Sequence, residues 1–202
     1  MKNVKPITQA AGAGLPWFEH WVIRFWVFPR LVKKLKGQGT RALWSREFEL
    51  ICAALESVPK NQWERKVLIP RVRGLEDSSR FWSLVQTLEH VDQVSRMMVA
   101  ACRELLAGRI PGQLVSTADV KPKGSWALHE AWQNWQQLNA DLSSSLLELC
   151  EQPESQCRYT HPWFGPLSST QWLVLVSVHL RIHRIQVQQI ARTILAEPLS
   201  SS

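Results

Sequence analysis

The stretch "SSTQWLVLVSVHLRIHRIQVQQIARTILA", residues 168–196, contains neither Pro nor Gly and is apolar over most of its length. It reads as one long helix, with Ser168 or Ser169 as its cap. Trp172, Leu175 or Val176, His179, His183, Gln186 or Val187, Ile190 and Ile194 recur at spacings of three and four, so they share one face. Two histidines four positions apart therefore project from the side of the helix expected to be buried.

Three other segments carry the same periodicity, and β-branched alternation is nearly absent. Residues 43–57 form the first and end at "VPKNQWE". Residues 78–107 form the second, with Trp82, Gln86, His90, Val94, Met97 and Ala101 on one face, ending before "GRIPGQ". Residues 124–151 form the third, with Ser125 as cap and Leu128, Trp132, Trp135, Leu138, Leu142, Leu146 and Leu149 as its apolar stripe. The fold expected is all-α, a four-helix bundle with long crossings that fold over an end of it, plus an additional helical segment at the N-terminus. The boundaries expected are an aromatic and basic extension over 1–40 and the bundle over 41–197.

With 202 residues and 45% apolar content, the chain can fill the core of one domain. A net charge of +7 raises nucleic-acid binding. The basic residues are nevertheless spread over several small groups, and zinc-finger, RNA-binding and helix-turn-helix patterns are missing, so no nucleic-acid partner is expected. The four cysteines, Cys52, Cys102, Cys150 and Cys157, make no CxxC pair, and three lie in helical segments, as free thiols of a reducing compartment do. No secretory pattern opens the chain, so the expected location is cytoplasmic. Residues 15–29, "LPWFEHWVIRFWVFP", are too short and too polar to span a bilayer. Two readings stand for them: packing against the domain, or contact with a membrane surface, which Trp residues followed by a basic patch suit.

His179 and His183 make a two-toothed clamp for a metal, and His90 sits on the core-facing side of another long helix. A bundle can bring the three imidazoles together and leave a position open for water or substrate. Imidazole suits zinc, nickel, iron or copper alike. Against this, an i, i+4 histidine pair also arises in ordinary helices, and a histidine on an apolar face is often a core residue. Gln186 faces the same way as His183 and can orient a histidine. His129 and His161 are candidates for the rim of the site. Gln86, one turn before His90, either serves the site or marks a wet face. A Ser-His-Asp elbow, a Gly-rich phosphate loop and a Rossmann fingerprint are all missing. A di-iron carboxylate site lacks its Glu-x-x-His pairs, since Thr87 and Val176 stand three residues before His90 and His179.

"LVQTLEHVDQV" around His90, then "HPWFGPLSSTQW" leading into "HLRIHRIQ", resembles the DinB-like superfamily, in particular its branch with an HPxFGxLxxxQW run before the last helix. The likeness covers residues 40 to 196; residues 1–40 depart from it. It implies a metal-binding four-helix bundle in which His90, His179 and His183 hold a divalent ion, nickel or zinc foremost and iron as a further choice. It also implies dimerisation and, in characterised members, isomerases and transferases that use a low-molecular-weight thiol. The function expected is that of a metal-dependent transferase, isomerase or hydrolase acting on a small-molecule substrate. The alternative is a non-catalytic bundle that binds a partner, a membrane surface or nucleic acid.

Overall fold

A computed structural model describes residues 8–112 and 117–197. Its helices are α1 (Trp17–Val22), α2 (Phe28–Leu35), α3 (Gln38–Glu56), α4 (Leu84–Leu106), α5 (Leu128–Leu149) and α6 (Ser169–Ala196). A single π-helical turn, Ile23–Val27, joins α1 to α2. Two short 3-10 turns, Lys60–Gln62 and Asp77–Ser79, and two small antiparallel strand pairs lie between the helices. β1 (Val67–Leu68) pairs with β2 (Phe81–Trp82), Val67 opposite Trp82; β3 (Tyr159–His161) pairs with β4 (Gly165–Leu167), His161 opposite Gly165.

The four long helices α3 to α6 form the bundle, and its architecture is all-α as expected. α6 packs between α3 and α4, while α5 closes the other side against the same two helices. The connections α3 to α4 (57–83) and α5 to α6 (150–168) therefore cross the bundle, which is why they are long. Apolar stripes at helical spacing supply the core: Trp44, Ile51 and Leu55 of α3, Leu84, Leu88 and Leu105 of α4, Trp135, Leu138 and Leu146 of α5, and Leu180, Val187 and Ile190 of α6 are all buried. Each such side chain contributes about 1.5–3 kcal/mol on leaving water. Trp135 also stacks on Phe48, ring centres 4.9 Å apart.

Local chemistry sets the helix ends, and here three expectations are corrected. α4 begins at Leu84, six residues later than its periodicity suggests. Ser83 accepts a hydrogen bond from Gln86 N, and Gln86 Oε1 accepts one from Ser83 N, a reciprocal cap. Gln86 is thus used at the cap, and Trp82 belongs to β2. α5 begins at Leu128 with Ala127 at its cap position. Ser125 is drawn away by the Glu89 carboxylate, to which its hydroxyl donates at 2.7 Å. α3 starts at Gln38 rather than 43, after Gly37 takes φ +70°, a left-handed turn that costs glycine little.

The N-terminal segment is helical, as expected, and is pinned to the bundle. Glu19 pairs with Arg71 and accepts from Gly74 N. His20 Nε2 lies 2.6 Å from the Trp163 carbonyl. Phe28 is buried and stacks on Phe164 at 4.5 Å. No helix among the described residues is long and apolar enough to cross a membrane.

Candidate metal centre

His90 lies in the second turn of α4; His179 and His183 lie in the third and fourth turns of α6. Because α4 and α6 are packed neighbours, one ring nitrogen from each histidine falls within 4.8 Å of the other two. His179 Nε2 and His183 Nε2 are 3.0 Å apart. Two nitrogens bonded to one ion at about 2.0–2.1 Å sit about 2.8–3.4 Å apart, from octahedral to tetrahedral arrangement. The α6 pair therefore has the spacing of two ligands of one ion, and with His90 the group can hold a divalent cation.

Backbone carbonyls fix the protonation of two of the rings. His90 Nδ1 is 2.6 Å from the Val120 carbonyl, which only accepts, so Nδ1–H donates and Nε2 keeps its lone pair. Gln186 Nε2 donates to the Ser79 carbonyl at 2.7 Å, which turns Gln186 Oε1 toward His183 Nδ1 at 2.6 Å. That oxygen can only accept, so His183 also carries its proton on Nδ1 and presents a free Nε2. Gln186 thus meets His183 on the face that their spacing predicts. His179 Nδ1 is buried and makes no hydrogen bond, so its ring is oriented by packing and by the contact at Nε2.

A further set of side chains holds these carbonyls in place. Glu89, buried beside His90, accepts from Lys123 N, Gly124 N, Ser125 N and the Ser125 hydroxyl. This anchors the loop that carries Val120. Lys121 reaches across to Glu76 and donates to Ser79 Oγ at 3.0 Å, tying that loop to the one that carries the Ser79 carbonyl. Glu89, Glu76 and Lys121 escaped the sequence reading because their partners are 34 to 45 positions away. The only local clue is a carboxylate adjacent to a histidine on an apolar helix.

Burial keeps the cluster neutral. It is the largest influence on His90, whose pKa falls to about 4 despite the Val120 hydrogen bond. His179 and His183 are held well below the ordinary histidine value by burial first, then by the neighbouring imidazoles. Neutral imidazole is the form that ligates metal. Burial raises the Glu76 carboxyl, but the Lys121 ammonium, the Thr117 hydroxyl and Gly12 N together outweigh it and the net shift is downward.

The cluster opens onto a cavity of about 800 Å³. Val94, Met98 and Leu175 line its apolar wall, Lys121 and Glu76 add charge, and Val22, Ile23 and Leu31 of the N-terminal segment roof it. His161 lines it too. It is held between Trp172 and Phe164, its Nδ1 accepts from Trp163 N at 3.0 Å, and burial lowers its pKa to about 3. His129 does not join the site: its side chain is 82% exposed and faces Glu130. α5 turns Ala131 and Trp135 inward, which leaves position 129 off the stripe. Of the tryptophans, Trp135 is core, Trp132 packs against Trp63, and Trp172 lines the cavity. Trp82 lies parallel to the His183 ring at 6.4 Å.

Comparison of the chain with protein-family models, with curated proteins and with solved structures returned no match.

Proposed function

We propose that the chain is a divalent-metal-dependent enzyme of the DinB-like kind acting on a small molecule, with His90, His179 and His183 holding the ion. The observation that carries this reading is the convergence of three neutral imidazoles, two of them locked in the tautomer that offers Nε2, on the wall of a roofed cavity. Three buried imidazoles are costly to desolvate without a shared partner. Nickel or zinc suits the all-nitrogen set, and iron is also compatible with it. Bound there, the cation supplies Lewis acidity that lowers the pKa of a ligating water or thiol.

The chain's own residues shape the rest. Gln186 and the Val120 carbonyl orient the rings. The residues of the N-terminal segment that roof the cavity exclude bulk water and give an apolar surface for the body of the substrate. The reaction we favour is thiol-dependent transfer or isomerisation, with hydrolysis as the second choice. The resemblance of "HPWFGPLSSTQW" and "HLRIHRIQ" to the DinB-like pattern supports it.

Protein loaded with nickel or zinc should catalyse either attack of a low-molecular-weight thiol on an electrophilic chloronitroarene or hydrolysis of an activated ester. His183→Ala should abolish that turnover. Equal rates in the loaded parent and in His183→Ala would overturn the proposal.

A further inference from the structure

The N-terminal segment has two faces, and only one is accounted for by the cavity. On the other, Trp17 is 81% exposed, and Trp21, Phe25 and Trp26 are each about half exposed. Three of them are joined: Trp21 touches both Phe25 and Trp26, with ring centres 6.0 and 6.4 Å apart, and Trp17 precedes them on the same segment. None of these four residues lines the cavity. Four large aromatics with this much surface in water on one short segment mark a binding surface.

Charge identifies what it binds. Between His20 and Arg46 the chain carries seven Lys or Arg residues, Arg24, Arg30, Lys33, Lys34, Lys36, Arg41 and Arg46, and no Asp or Glu. The formal charge of the whole chain is +7, so this one stretch carries a charge equal to the whole excess and the remaining acidic and basic residues balance. Lys33, Lys34 and Lys36 are exposed at the end of α2. The Arg30 guanidinium lies 5.0 Å from the Trp26 ring centre and that of Arg24 lies 5.1 Å from Phe25, so cation and ring are presented together. Tryptophan at the level of the headgroups with basic side chains around it is the chemistry of an anionic bilayer surface. A phosphate backbone would use the charge but not four exposed rings.

We propose that Trp17–Lys36 docks the protein on anionic membranes, with Trp17, Trp21, Phe25 and Trp26 entering the interface and Arg30, Lys33, Lys34 and Lys36 pairing with lipid headgroups. The roof of the cavity then lies against the bilayer. This inference stands apart from the metal chemistry.

The test is co-sedimentation of the full chain with vesicles of phosphatidylcholine plus phosphatidylserine, and with phosphatidylcholine alone. Binding should require phosphatidylserine and weaken with salt. The variant K33Q/K34Q/K36Q should bind about a hundredfold more weakly, at roughly a fivefold loss for each charge near the surface. W17S/W21S/F25S/W26S should lose binding while keeping the parent's helix content and melting cooperativity. His183→Ala should bind vesicles as the parent does, whatever its effect on metal. Failure of the parent to bind phosphatidylserine vesicles at low salt would overturn the proposal. So would tighter binding to duplex DNA than to vesicles, or a dimer that the aromatic variant dissociates. Because the lysine side chains are exposed, that variant remains a fair test even if the aromatic one fails to fold.

Discussion

Gln186 is the side chain on which the geometry of the three histidines most depends. It is fully buried, and its amide is oriented by a single carbonyl, that of Ser79. Gln186→Leu, similar in volume but unable to accept from His183 Nδ1, leaves that ring free to turn and the Ser79 carbonyl unpaired. The expected cost is about 1–3 kcal/mol of stability and a roughly 10- to 100-fold loss of metal affinity, measured by competition against a zinc-chelating dye. An affinity equal to the parent's would show that packing alone holds His183. The neighbouring ion pair works differently. Glu47 is buried on α3, and Arg184 reaches it from α6 at 2.7 Å. Glu47→Ala strands a partly buried guanidinium and should cost about 3 kcal/mol in denaturant unfolding, with metal content unchanged.

At the level of elements, both histidine-bearing helices start with the same device. Ser83 with Gln86 caps α4, and Ser168 with Gln171 caps α6. Each places its helix in a fixed register relative to the hairpin before it, so His90, His179 and His183 arrive at one level of the bundle. Ser83→Ala and Ser168→Ala should each lower stability by about 1 kcal/mol, seen as a shift in the urea midpoint at constant slope. A loss within error would mean that tertiary packing alone fixes the ends. The helices, the histidine cluster and the contact of Gln186 with His183 were legible because helical spacing writes them into the sequence as repeats of three and four. The start of α5 was not, since Ser125 looks like a cap and only the fold brings Glu89 to compete for it. Periodicity alone also carried α4 back through Trp82, because a two-residue strand leaves no pattern of its own. Nor was the clamp of Glu76 on Lys121 legible, or the exposure of His129, which depends on where a helix starts to within one residue.

For the molecule as a whole, four histidines held neutral in the folded state link stability to acidity. His90 and His161 have folded pKa values of about 4 and about 3, and His179 and His183 are also well depressed. The unfolded chain therefore binds more protons than the folded one below the ordinary histidine value. Stability is full above the ordinary histidine range and falls as the pH drops below about 6.5, by at most about 1.4 kcal/mol per pH unit for each histidine that stays neutral in the folded chain. Thermal melting of metal-free protein across that range should show a steep decline, and His161→Phe should reduce its slope; a flat profile would contradict buried neutral imidazoles. The central claim is that the bundle gathers these side chains to hold a metal, and elemental analysis tests it most directly. Untagged protein purified without chelator, and then given nickel or zinc, should retain a single ion per chain. His90→Ala and His183→Ala should lose it while remaining helical. If the parent takes up no ion, or if both variants keep the same amount as the parent, the three histidines are core residues and the claim is wrong.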